Sequence, residues 1–184
     1  HLHASLSILG EHGIELLLQH GLKLTKTIFS MMIKSFIDDS NIPNITSINS
    51  FFPIHHPETN IMMFVFVPTS IREKFKSTII FSQDNLHDFD IKWTAEIVDE
   101  CSKSNITIQK MLSQNSFLDV KKDNEQSSLG GFLSRTVINV KLQDNLEKLK
   151  CLPLTVFRMV ISNPLTELKD ILNVLHSANA VSIN

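Results

Sequence analysis

The side chain with the most specific chemistry in this sequence is Arg158, set in the stretch Val156-Phe-Arg-Met-Val-Ile-Ser-Asn-Pro164. An arginine within a buried, otherwise apolar strand needs a partner, because an unpaired guanidinium in apolar surroundings is strongly unfavourable. Its planar fork matches a carboxylate in bidentate geometry. Two kinds of partner meet that need: an acidic side chain in a structural ion pair, or the carboxylate of a ligand. Histidine is the other chemically versatile residue here, with eight copies. His12 and His20 are eight residues apart and can share one face of a helix. His1 and His3 flank Leu2, and His55 and His56 sit in a turn bracketed by Pro53 and Pro57. No carboxylate or further histidine completes a set at zinc-ligand spacing, so solvated or loop histidines and no metal site are expected. Cys101 and Cys151 are too few for a disulfide framework and form no CxxC pair, which suits a reducing, cytoplasmic setting.

Several chemistries are excluded by what is missing. With five glycines the chain contains neither GxGxxG nor GxxxxGK[ST], so neither common phosphate cradle is present. There is no GxSxG, no HExxH and no aspartate-rich calcium loop. Tyrosine does not occur at all. The formal net charge of −2 gives no sequence-wide attraction to nucleic acid or an anionic membrane, and neither is expected as a partner. No apolar run reaches the length of a membrane span. No secretory signal is visible in the first residues, and the opening on His1 without a cap or turn suggests a fragment or processed product.

The elements that must position these residues follow from hydrophobic spacing. From Leu2 to Phe36 the pattern is helical, with Ile14, Leu17, Leu18, Leu24, Ile28, Met31 and Met32 recurring at three- and four-residue intervals. Gly10 and Gly13 are placed to end one helix and begin the next. A loop over Asp38–Asn49 leads to a strand at Ile61–Val67 that Pro68 stops. Thr69–Lys76 reads as a short helix capped by Thr69 or Ser70, and Ser77–Lys92 is ambiguous. Trp93–Leu112 reads as an amphipathic helix with Ile97, Cys101, Ile108 and Leu112 on one side. A polar excursion around Lys121–Ser128 follows, then strands at Phe132–Val140 and Thr155–Ile161. Pro164–Leu175 reads as a helix capped by Asn163 or Thr166, with Leu168, Ile171, Leu172 and Leu175 inward. This order predicts an α/β (α+β) domain, a mostly antiparallel sheet covered by helices on one side and preceded by a long linking helix.

Four stretches, in order, carry a resemblance to a known family. Phe157–Pro164, FRMVISNP, resembles the C-terminal strand and turn of glutamate decarboxylases, the pyridoxal-phosphate-dependent group II amino-acid decarboxylases. Leu2–Gly10 with Gly13 and the following Ile-Glu-Leu-Leu-Leu resembles the helix pair leaving that family's cofactor domain. Asn60–Pro68 resembles the first core strand of its small domain, and Gly131-Phe-Leu-Ser-Arg-Thr136 resembles the FVSRT segment of the bacterial aspartate/glutamate branch.

The resemblance implies that the chain is the C-terminal part of a fold-type-I enzyme. Residues 1–36 would be helices leaving a large cofactor domain, and residues 37–184 the small domain. It implies pyridoxal 5'-phosphate as cofactor, held mainly by that large domain, an acidic amino acid as small-molecule substrate, and a homodimer. Arg158 matches the arginine that binds the substrate carboxylate, a positioning role that decarboxylation requires. Arg135 reads as a structural or subunit-interface residue. The family's cofactor-holding lysine, preceded by histidine, falls before the first residue here, since no lysine of this chain follows a histidine. No catalytic or cofactor-binding residue is therefore expected within the chain. Val65 stands where the bacterial branch commonly has arginine, and the region Ser77–Ser128 is longer and more polar than usual. Two other readings stay open: an inactive remnant or interaction domain derived from such an enzyme, and a pyridoxal-phosphate aminotransferase.

Overall fold

A computed structural model describes residues 2–38, 48–82, 85–119, 133–142, 150–163 and 165–182. The polar excursion expected at Lys121–Ser128 and most of the loop expected at Asp38–Asn49 lie outside these residues. Helix α1 spans Leu2–Asp38 and is broken once, at Gly10, whose φ of 63° and ψ of 177° leave the helical region. Glycine takes a positive φ at little cost, which is why the break falls there, while Gly13 remains inside the helix. The last three turns of α1 bury Ile28, Phe29, Met32, Ile33 and Phe36 at helical spacing. No residue from 10 to 20 is fully buried, and Leu16 and Leu18 are 53% and 55% exposed.

The remaining elements are β1 (Phe51–Pro53), β2 (Ile61–Phe66), a 3-10 turn at Thr69–Ile71, α2 (Arg72–Lys76), β3 (Ile79–Ser82), β4 (Asn85–Ile91), α3 (Ala95–Asp119), β5 (Leu133–Lys141), β6 (Cys151–Val160) and α4 (Leu168–Ser182). They make a four-stranded sheet of order β1-β2-β6-β5 and a separate β3-β4 ribbon. Every pairing between these strands is antiparallel. The fold is mixed α/β with antiparallel sheets. The ambiguous stretch Ser77–Lys92 is the β3-β4 ribbon, short and largely solvated. The helix expected from Trp93 starts at Ala95, where the Thr94 hydroxyl accepts from the Ile97 N–H at 3.4 Å. The helix expected from Pro164 starts at Leu168, because Asn163 instead closes a turn in which its Oδ1 accepts from the Leu165 N–H at 3.0 Å. No side-chain cap begins the turn at Thr69 or α2.

Register assigns the phenylalanines to two faces of the sheet. Phe51 pairs with Phe66, and Phe64 with Phe157, so these four rings share a face and meet at centroid distances of 5.5–6.4 Å. Phe52 pairs with Val65 and points the other way, onto Phe36 of α1, Phe75 of α2 and Phe89 of β4. Phe66 borders a cavity together with Ile108 of α3 and Ala180 of α4. Helical cover therefore lies on both faces, not on one as the alternation of elements suggested. The second cover is the end of α1, which folds back onto the sheet and joins its core.

Buried Asn105 of α3 sits where β2 and β6 part. Their pairing ends at Phe64 and Phe157, and two positions further along the same register stand Phe66 and Thr155. There the Phe66 N–H donates to Asn105 Oδ1 at 2.9 Å and Asn105 Nδ2 donates to the Thr155 carbonyl at 2.6 Å. The Thr155 N–H donates to Ser102 Oγ at 3.0 Å. Two side chains of α3 thus serve the Phe66 N–H and both backbone polar groups of Thr155 in place of a rung of the ladder. Pro153 lies in the part of β6 beyond this split, where the missing proline N–H costs no β2 hydrogen bond.

Candidate functional site

Arg158 occupies a fixed point of the scaffold. Its strand, β6, is hydrogen-bonded on both sides, and the residue lies opposite Met63 on β2 and Ser134 on β5. The Ser134 hydroxyl donates to the Arg158 carbonyl at 3.2 Å. Val156 on the same face is fully buried, and so are Phe157 and Met159 on the other. Arg158 itself is exposed. The expectation of an arginine inside a buried strand is corrected here. The apolar run Leu154–Met159 is buried on both faces except at position 158, where solvent reaches the sheet. No described residue holds the guanidinium by a hydrogen bond or an ion pair, so among the described residues no structural ion pair forms. The fork is free to meet a carboxylate in bidentate geometry.

Other residues singled out in sequence fall around it. Arg135, opposite Phe157, projects from the opposite face of β5 and is exposed, and Thr136 is half-buried. Val65 shares the Arg158 face but is fully buried under Phe52 and its neighbours. The turn after β6 is anchored firmly. Asn60 Nδ2 donates to the Ile161 carbonyl at 2.8 Å and Ile161 N–H donates to the Asn60 carbonyl at 3.0 Å. Gly21 of α1 packs against this knot: a Cβ there would sit 2.7 Å from the Ile161 oxygen and 2.9 Å from Asn60 Cβ. One residue earlier, His20 Nε2 meets the Thr166 carbonyl at 3.0 Å. The FRMVISNP stretch is thus locked to α1 through its end.

The described histidines lie in separate places, apart from a pair that shares one phenylalanine. His12 lies beside Glu15 at 3.7 Å, and His55 Nδ1 meets the His56 carbonyl at 2.9 Å. His56 and His87 pack on the ring of Phe29. Among the described residues no three His, Cys, Asp or Glu side chains are grouped as a metal ion would need. Among the described residues, too, no helix is long and apolar enough to cross a membrane.

A lysine that captures a carbonyl cofactor works best with its ammonium held below the ordinary pKa. Lys103 and Lys169 are held the opposite way: a hydrogen bond donated to Asp99 raises the first and one donated to Glu167 raises the second. Both are exposed, and neither fits cofactor capture. Cys101 is buried, and burial, with Glu100 adding to it, pushes its thiol from 9.0 up to about 12. It is an unreactive core residue, whereas Cys151 at the start of β6 is exposed. Sequence reasoning missed the roles of Asn105 and Gly21. Asn105 offered a signal of its own, an amide in the otherwise apolar inward series of α3.

No protein-family model matches the chain, and no curated protein or solved structure matches it either.

Proposed function

We propose that the chain is the C-terminal portion of a pyridoxal-phosphate-dependent decarboxylase acting on glutamate or aspartate, in which Arg158 binds a substrate carboxylate. The observation that carries this reading is the state of Arg158: an exposed guanidinium, engaged by no described residue, on a strand hydrogen-bonded along both edges. A fork held by a rigid strand loses little freedom on binding, and such positioning lowers a barrier by fixing the substrate's orientation. On this reading the cofactor would be held mainly by a large domain outside this chain, since no lysine here follows a histidine as the family's cofactor-holding lysine does. The small domain would contribute Arg158 and a cover over the substrate, and the assembled enzyme would be a cytoplasmic homodimer. A non-catalytic interaction domain of the same descent is the second reading, favoured by exposed Leu16 and Leu18 on α1.

The test is carbon dioxide release from glutamate and aspartate by the polypeptide of the complete reading frame, purified with pyridoxal phosphate. Arg158→Met is expected to lower kcat/KM by about 10- to 100-fold, the worth of a charged hydrogen-bonded pair. Keto-acid exchange without carbon dioxide release would make the protein an aminotransferase. Absence of both activities would leave the interaction domain.

A further inference from the structure

After the break at Gly10, Glu11, Glu15, Leu18, Leu22 and Lys26 follow one another on α1 at three- and four-residue intervals, which aligns them as one stripe along the helix. The core does not cover that stripe. Leu18 is 55% exposed, Leu22 is half-buried, and the three charged side chains are exposed. An open groove of about 470 Å³ runs beside it, lined by Gln19, Leu22, Lys23, Lys26, Thr27 and Ser30. Charge is sorted along the helix, with Glu11 and Glu15 towards the N-terminal side of the leucines and Lys23 and Lys26 towards the other. Lys23 and Lys26 carry no ion pair among the described residues. Glu15 accepts a hydrogen bond from Gln19 at 3.0 Å and lies 3.7 Å from His12, which leaves acceptor positions on its carboxylate unused.

Leucines flanked by acids on one side and bases on the other are complementary to the same stripe run in the reverse direction. In an antiparallel pair centred between Leu18 and Leu22, Leu18 meets the partner's Leu22 and Glu15 meets the partner's Lys26. A two-fold axis repeats both contacts. A parallel pair would instead set Glu15 against the partner's Glu15 and Lys26 against the partner's Lys26, which is repulsive. We propose that α1 docks a second copy of this chain through this stripe, antiparallel, with the leucines at the centre and a glutamate–lysine pair at each end. A contact of a few helical turns is smaller than the roughly 1,600 Å² of a standard interface, so the dimer is weak and adds little to the stability of a dilute sample. Leu16 lies two residues from Leu18, on another side of the helix and outside the contact. The pairing needs α1 alone and not Arg158, so it stands or falls separately from the decarboxylase reading.

The test is sedimentation velocity of the 184-residue chain from micromolar to millimolar concentration. The chain is expected to pass reversibly from monomer to dimer, and to do so less readily at high salt. Leu18→Glu is expected to hold it monomeric, whereas Leu16→Glu, at a side chain of similar exposure, should dimerise as the native sequence does. Glu15→Lys and Lys26→Glu each oppose like charges and should weaken dimerisation at least tenfold. An equimolar mixture of those two variants restores both ion pairs and should regain the dimer, and so should the chain that carries both substitutions. All four positions are exposed, where substitutions change stability little, so each variant keeps its fold. A native chain monomeric throughout, equal loss in Leu16→Glu and Leu18→Glu, or a mixture that associates no better than its components would overturn the proposal.

Discussion

At the scale of single residues, the two cysteines make opposite predictions from the same physics. Cys151 is exposed and should react with a thiol reagent in the folded protein, whereas Cys101 should react only after unfolding. The count of modified thiols is therefore expected to rise from one to two on adding denaturant. Cys101 also links stability to pH. Its folded-state pKa is raised, so in the unfolded chain the thiol ionises first, near 9.0, and in the folded one only near 12. The stabilisation is complete below pH 9.0 and is lost as pH climbs towards 12. Urea midpoints measured across that range should fall for the native sequence and fall less for Cys101→Ala. Arg158 marks the limit of legibility at this scale. Its strand was plain from Val156–Ile161, but a run that is apolar on both faces carries no alternation, so nothing in it revealed that position 158 meets solvent.

At the scale of elements, long periodic segments were readable and short solvated ones were not. Ile61–Val67 declared β2 because buried residues fill both of its faces. The inward series of α4 was read correctly from Leu168 to Leu175, with Ile171 and Leu175 nearly inaccessible to solvent. The β3-β4 ribbon went unread because few of its side chains are buried, and burial is what imprints a pattern. Edge strand β5 leaves Val137 57% exposed, and Arg135 and Lys141 beside it discourage strand pairing with another chain. Contact between elements gives a second prediction. Because α1 approaches the Asn60–Ile161 knot to within a hydrogen's width of a side chain, Gly21→Ala must push helix and strand apart. Overpacking of that kind costs about 1–3 kcal/mol. For a chain of this size that is a fall in Tm of roughly 3–10 °C, readable by calorimetry.

At the scale of the whole molecule, one core is shared by the last turns of α1, both faces of the sheet, and α2, α3 and α4. The division at residue 36 expected from sequence therefore does not coincide with an edge of the packing, since Ile28–Phe36 belong to that core. Residues 10–20 of α1 stand outside it. Replacing Leu16 and Leu18 together by glutamate should leave the Tm of this chain within about 2 °C, since exposed substitutions usually change stability by under about 0.5 kcal/mol. A larger fall would mean that those leucines are covered within the chain itself.

The pairing of β2 with β6 joins positions as much as 101 residues apart, at Asn60 and Ile161. During synthesis, β1 and β2 can form their hairpin early, but the face that holds Phe51, Phe64 and Phe66 has no Phe157 to close on until β6 has been made. The amide of Asn105 likewise waits for Thr155. Between the synthesis of β2 and that of β6 the nascent chain thus displays an aromatic sheet surface in search of its central neighbour, the period in which a chaperone would matter most.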